Sequence, residues 1–328
     1  VGGEELLVDG TESYAVVDTA VEAARLSGSG RAAGFINGVL RALARTIEAT
    51  ESGNRFDPTR NFGIPTWMFR HIAAALPGES GSEFFAASNT ATGVGVRYRS
   101  GETAHGCDDV GIAGAAYVRP DEAAALKRRG EADLIDPAST AVGLAVAPLP
   151  GSRVLDLAAA PGGKTAHLSD QMNGTGHLVA ADRNHRRLTR TQRRLALMGV
   201  EAHYLAMDGR APALRPASFD RVLLDAPCTG LGTLRRRPEI RHRIEPESPH
   251  RLATVQQNLI AEALELVAPG GRLVYSVCTV FPEETIDVVA DLDAYAPSGL
   301  PGEPWGKGWL LAPHTTGTDG MFIAVIDV

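Results

Sequence analysis

The spacing of apolar positions changes character along the chain, and the change divides it. Over residues 13–49 apolar side chains recur at helical intervals, with Phe35, Ile36, Val39, Leu40, Leu43 and Ile47 in the second of two predicted helices and "SGSG" at 27–30 as the turn between them. Two helices alone bury little, and the chain opens on Val1 without a methionine. They read as a helical domain whose front is missing. The polar, Pro- and Gly-bearing stretch "TESGNRFDPTRNFG" around 50–62 reads as a linker, after which "IPTWMFRHIAAAL" restarts a helix with Pro65 near its first turn. Between 84 and 135, strand-like pieces ("EFFAAS", "GVGVRYR", "GAAYV") mix with the helical "RPDEAAALKRRG", which predicts a small α+β module. From 151 onward, short apolar β-rich runs alternate with amphipathic helical stretches, as a doubly wound α/β sheet requires. The predicted strands are 153–159, 177–182, 201–208, 219–227, 271–280 and 321–328. Three regions follow: a partial helical region over 1–52, an α+β module over 62–135 and a Rossmann-like α/β domain over 136–328.

Composition narrows the function class. With 328 residues and 44% hydrophobic side chains the chain can build a large core, and no run approaches the ~18 consecutive apolar residues of a membrane span. No basic-then-apolar leader opens it, so a cytoplasmic protein is expected. The three cysteines, Cys107, Cys228 and Cys278, are too far apart for a disulfide framework or a zinc site, and free thiols and no metal are expected. The net charge of −7 argues against a uniformly basic protein, yet basic residues cluster: "RNHRRLTRTQRR" at 183–194 holds six arginines and "RRRPEIRHR" at 235–243 holds five. Such clusters serve either as solvated faces or as phosphate contacts.

The candidate chemistry sits at the carboxyl ends of the predicted strands. After the first comes "AAAPGGKT", a small-residue turn opening a helix; Ala158, Ala159, Ala160, Pro161, Gly162, Gly163 and Lys164 form a loop that a ligand can approach closely. It is neither GxGxxG nor GxxxxGK(S/T), which disfavours a dinucleotide or a nucleoside triphosphate. Acids end successive strands: Asp182, Asp208 and Asp225. Asp182 is placed to accept from ribose hydroxyls, Asp208 from an adenine amino group, and Asp225 faces the substrate. A nucleoside without phosphates, S-adenosylmethionine, meets these requirements better than NAD.

"LDLAAAPGGKT", "DAPCTGLGTLRRRPEIR" and "GGRLVYSVCTVFPEE" resemble, in order and spacing, the core motifs of the RNA cytosine-5 methyltransferases, with the bacterial RsmB (Sun/Fmu) type the nearest. The similarity runs from about residue 130 to the end, and "RAAGFINGVLRALAR" resembles the closing helix of a NusB-like RNA-binding domain. The resemblance implies S-adenosylmethionine as methyl donor, RNA (ribosomal before transfer RNA) as partner and a monomeric enzyme. It implies that Cys278 in "YSVCTV" is the nucleophile toward carbon 6 of cytosine, that Asp225 holds the base, and that Cys228 helps release the product. Arg235, Arg236, Arg237 and Arg241 would meet RNA phosphates near the target base. Two positions depart from the family pattern: Val277 replaces a common threonine, which bears on how Cys278 is oriented, and Ala158 replaces a frequent cysteine. Two other readings stay open, a non-catalytic RNA-binding or assembly factor on the same fold and thiol redox chemistry between Cys228 and Cys278. The second lacks a CxxC and leaves the acids unexplained. Cys107 has no motif partner and reads as structural.

Overall fold

The computed structural model describes residues 6, 12–28, 30–50, 57–76, 79–103 and 108–328. Cys107 lies outside them. The chain forms two compact units, 1–57 and 58–328. In the first, α1 (Ser13–Leu26) and α2 (Ala33–Thr50) are the two expected helices, meeting through Val16, Val17 and Leu40. Arg25, in the last turn of α1, complements the partial negative charge of that helix end.

The second unit begins with three helices, α3 (Pro58–Phe62), α4 (Thr66–Ala75) and α5 (Ser80–Ser88). Two expectations fail here. The described end of the predicted linker is helical at 58–62, and "EFFAAS" is the body of a helix rather than a strand. The reason is periodicity: Gly81, Phe84, Phe85 and Ser88 are buried while Glu83 and Ala86 are exposed, a helical stripe that a six-residue window hides. Four short strands follow, β1 (Val94–Tyr98), β2 (Asp108–Asp109), β3 (Ala115–Val118) and β4 (Ala132–Asp133), with α6 (Pro120–Arg129) between the last two. They form an antiparallel sheet in the order β2-β3-β1-β4. Pro120 in the first turn of α6 and the left-handed Gly130 after it (φ 72°) bound that helix as its sequence predicts.

The α/β layer opens with α7 (Pro137–Val146), whose N-cap Asp136 accepts from the Ala138 amide at 2.9 Å. Next come β5 (Arg153–Asp156), α8 (Gly163–Gln171), β6 (His177–Asp182), α9 (His185–Leu197), β7 (His203–Ala206), β8 (Phe219–Asp225), α10 (Ser248–Leu266) and β9 (Val267–Val277). The chain closes with β10 (Ala294–Tyr295), β11 (Glu303–Trp305), β12 (Gly308–Leu311) and β13 (Met321–Asp327). The large sheet runs β11-β12-β13-β9-β8-β5-β6-β7, with β10 also paired to β13. It is parallel from β9 through β7 and antiparallel beyond β9. All six predicted strands exist, although β5 stops at Asp156, β7 is shorter than predicted and β9 begins earlier.

Alternation of side chains sends each central strand to two cores. Leu155, Val222, Leu224, Leu273 and Tyr275 face one, which also holds Met68, Ile72, Phe84 and Phe85 of α4 and α5. Val154, Leu223 and Val274 face the other, with Ala141 and Val142 of α7 and Leu168 of α8. The small sheet joins this body through a buried ion cluster: Arg97 Nη2 of β1 lies 2.5 Å from Asp133 and 2.7 Å from Asp170 of α8, and Arg99 adds a bond to Asp170 at 2.7 Å. Removing the guanidinium leaves two carboxylates in low-dielectric surroundings. Arg97→Leu should therefore lower unfolding stability by about 3–5 kcal/mol, measured by urea denaturation. Arg119→Ala, which breaks a pair between exposed side chains, should leave the midpoint unchanged.

Candidate active site

Parallel strands end together, so their carboxyl ends make a rim. Asp156 ends β5, Asp182 ends β6 and Asp225 ends β8, while Cys278 follows β9 directly; Asp208 stands two residues past β7. The β5–α8 loop is pinned to this rim by backbone bonds, Leu157 N–H to the Leu223 carbonyl (2.9 Å) and Ala159 N–H to the Ala181 carbonyl (2.8 Å). Gly162 turns the loop into α8 at φ 94°, and a Cβ there would lie 2.7 Å from Thr191 Cγ2. No side chain fits that turn.

A cavity of about 520 Å³ opens over the rim, lined by Ala158, Ala160, Asp182, Asp208, Asp225 and both cysteines. A smaller one of about 310 Å³, also lined by Asp225 and Cys278, is bordered by Ala159, Pro161, Gly163 and Lys164. Among the acids, Asp182 accepts from the Ala160 amide (3.2 Å) and the Asn184 amide (2.8 Å), which leaves lone pairs free for hydroxyl donors. Asp208 is exposed and clamped by Arg210 at 2.6 Å, which holds its carboxyl down at about 2. Asp225 is shared: Lys164 Nζ donates to Oδ2 at 2.7 Å and Ser276 Oγ to Oδ1 at 2.9 Å. Burial works against the Lys164 charge, but Asp225 outweighs it and the ammonium titrates above its ordinary value.

The two sulfurs lie 3.4 Å apart. The hydrogen bond from Cys228 is the largest influence lowering the Cys278 thiol; burial and Asp225 oppose it, and the Lys164 ammonium helps it. The same bond, then burial, the Cys278 charge and Glu284 push Cys228 well up. The pair is therefore polarised: the two thiols are shifted in opposite directions, Cys278 down and Cys228 up, with the Lys164 ammonium favouring the charged form of the first and Glu284 opposing that of the second.

The four arginines singled out in the sequence divide. Arg237 lines both cavities. Arg235 bonds the Gly317 carbonyl and lies 5.7 Å over the Tyr117 ring. Arg236 pairs with Asp319 through Nε at 2.9 Å, and Arg241 bonds the Phe62 carbonyl (2.8 Å) and Asn89 (2.9 Å). These three tie the 231–243 segment to the body of the unit. Asp156, Ser276 and Glu284 escaped the sequence reading. Asp156 carries the same signal as the acids that were found, one strand earlier, whereas Ser276 and Glu284 become visible only through strand register.

Comparison with known proteins agrees with this geometry. Residues 143–327 match the family described as 16S rRNA methyltransferase RsmB/F, and residues 1–45 match the NusB family. The chain belongs to the RsmB/F family. A protein of Mycobacterium tuberculosis is 33% identical over 99% of this chain and 79% of its own length. The ribosomal RNA small subunit methyltransferase B of Salmonella paratyphi B is 30% identical over 99% and 80%. A solved methyltransferase homologue of Pyrococcus horikoshii superposes with a TM-score of 0.68 at 26% identity, over 83% of this chain and 97% of that one. The fold is thus the Rossmann-like fold of S-adenosylmethionine-dependent methyltransferases, and the RsmB/F chain uses that cofactor. The residues present suit it, because the glycine turn admits a close ligand, Asp182 keeps free acceptor sites, and the volume lies within the ~300–1,000 Å³ of small-molecule sites. Among the described residues, no helix is long and apolar enough to cross a membrane, and no cluster of three or more His, Cys, Asp or Glu side chains suits a metal.

Asp156 gives a pH test. Burial raises its carboxyl to about 7, and Thr165 donates to it at 2.6 Å. A carboxyl with a raised folded value contributes stability that is complete below its unfolded value, ~4, and lost as pH rises through ~7. Glu284, also raised to about 7 by burial, acts in the same window. Wild type should lose stability between pH 5 and 8, and Asp156→Asn should lose less, measured by urea midpoints at the two pH values.

Proposed function

We propose that this RsmB/F methyltransferase methylates carbon 5 of a cytosine in small-subunit ribosomal RNA through a covalent adduct to Cys278. The polarised thiol pair, 3.4 Å apart beside the Lys164–Asp225 ion pair, carries the proposal. Carbon 5 of cytosine is too electron-poor to take a methyl group unaided. Addition of the Cys278 sulfur to carbon 6 makes a carbon–sulfur bond and moves the ring's electron pair toward carbon 5. Asp225, fixed by Lys164 and Ser276, holds the ring nitrogen and amino group as charge develops. S-adenosylmethionine, when bound, supplies the electrophilic methyl group. Loss of the carbon-5 proton to solvent then restores the ring double bond and breaks the carbon–sulfur bond. The Cys228 S–H, donating to the sulfur of Cys278, stabilises the departing thiolate and so favours release.

Ala158 to Lys164 would cradle the cofactor, with Asp182 on the ribose hydroxyls, Asp208 toward the adenine amino group and Asp225 bordering both ligands. Arg235, Arg236, Arg237 and Arg241 would present positive charge to RNA phosphates, Arg237 most directly because, among the described residues, its side chain pairs with exposed Glu239 alone. The domain division that goes with this reading is a NusB-like region over 1–52, an RNA-contacting module over 62–135 and the catalytic domain over 136–328. The ribosomal target draws support from the name of the Salmonella relative and from the NusB match at the front. The enzyme would work as a monomer in the cytoplasm, where ribosomal RNA is made.

The test is methyl transfer from labelled S-adenosylmethionine to undermethylated small-subunit RNA. Wild type should label cytosine and Cys278→Ala should not; full transfer by that variant overturns the proposal. Cys228→Ala should accumulate a covalent protein–RNA species on denaturing gels. A separate measurement addresses the thiolate. The iodoacetamide alkylation rate of Cys278, followed by mass spectrometry against pH, should have a midpoint below that of an ordinary thiol, and Lys164→Met should move it upward by about one pH unit.

A further inference from the structure

Glu284 is buried completely, yet among the described residues no cation pairs with its carboxyl group. Its Oε1 accepts from the Thr229 amide (2.9 Å) and from Gln256 Nε2 (3.1 Å), and its Oε2 accepts from the Thr229 hydroxyl (2.5 Å). The Thr229 hydroxyl in turn sits 2.8 Å from that of Thr279. Each of these hydroxyls can both donate and accept, so the Thr229–Thr279 bond can run in either direction. Gln256, from α10, also donates to the Pro227 carbonyl at 2.9 Å, and the Tyr275 hydroxyl holds the Glu284 carbonyl at 2.7 Å. Thr229 directly follows Cys228, and Thr279 directly follows Cys278.

Burying a carboxylate is costly, and an apolar side chain of similar size would fill the space without that cost. What an apolar side chain cannot do is accept several hydrogen bonds at once. The segment after Cys228 is irregular backbone beyond the end of β8, so its donors have no sheet partner. A single multiple acceptor satisfies them and, through the Thr229–Thr279 link, couples that segment to the one after Cys278.

We propose that Glu284 is a positioning residue that sets the spacing of the Cys228 and Cys278 sulfurs by tying together the two loops that carry them. The geometric claim stands on these contacts alone; its consequence for turnover rests on the thiol chemistry above. A probe independent of methyl transfer is phenylarsine oxide, which bridges two neighbouring thiols by forming two arsenic–sulfur bonds and releasing one water. Wild type should be bridged at Cys228 and Cys278, identified by peptide mass mapping. Glu284→Ala should be bridged at least about tenfold more slowly and should lose about 100-fold in kcat while the KM for S-adenosylmethionine stays unchanged. Glu284→Gln should recover most of both, because its amide oxygen keeps the Thr229 and Gln256 contacts and its NH₂ can donate to the Thr229 hydroxyl, which then donates to Thr279. Thr229→Val, nearly the same shape but without the hydroxyl, guards against a Glu284→Ala variant that fails to fold, and should also slow bridging. Wild-type bridging in folded Glu284→Ala, or in Thr229→Val, overturns the proposal. If bridging follows the expected order while even wild type fails to methylate cytosine, the positioning role stands and the proposed reaction falls.

Discussion

The parallel pairing of β8 with β9 sets Asp225 opposite Ser276 and Leu224 opposite Tyr275. The Asp225–Ser276 contact and the meeting of the two cysteines hang on that register. It brings two thiols that are 50 residues apart in sequence to 3.4 Å, and it lets Ser276 orient the carboxylate that Lys164 holds from the other side. A slip of one residue would turn Tyr275 out of its core and send Ser276, now facing Asp225, into apolar surroundings, so the two cores that flank the sheet enforce the pairing. The apolar side chains and the site thus depend on one alternation: core residues stand above and below the sheet, while the site's polar groups stand at the last strand positions, as Asp156, Asp182 and Asp225 do, or in the loops just beyond, as the two cysteines do.

At that edge the polar groups differ in how they are supported. Lys164 and Asp225 neutralise each other, Asp182 rests on backbone amides, and Glu284 relies on hydrogen-bond donors alone. These arrangements place unequal charge around two chemically identical thiols. The lysine acts on Cys278 and Glu284 on Cys228, so the opposite shifts of the two thiols come from their surroundings rather than from either residue itself. Val277, where the family pattern commonly has threonine, is fully buried in the larger core. It points away from the polar rim, and Thr279, one residue beyond Cys278, bonds the Thr229 hydroxyl instead.

The arginine-rich 235–243 segment shows how a charge pattern divides once folded. Arg236 and Arg241 spend their guanidinium groups on Asp319 and on Phe62 and Asn89, and Arg235 reaches the Gly317 carbonyl. These contacts stiffen the wall beside the cavities, and Arg237 remains the member that borders both of them. Charge density marks the segment in the sequence, but only contacts 80 or more residues distant separate its bracing arginines from Arg237, which bonds its near neighbour Glu239.

By itself the sequence determined the α/β class, the six main strands, the glycine turn before α8 and the strand-end positions of Asp182 and Asp225, with Asp208 two residues beyond its strand, because each of these is written in local periodicity or in a short motif. It misread 83–88 as a strand because two adjacent phenylalanines in a short window look alike in either period. It overlooked Asp156, although the local signal was present. Tertiary structure decided the rest: the 3.4 Å between the sulfurs, the Lys164–Asp225 pair 61 residues apart and the Glu284 link between two loops. These depend on which strands lie side by side and in what register, a choice made by burying both faces of the sheet at once and not by any stretch of chain alone.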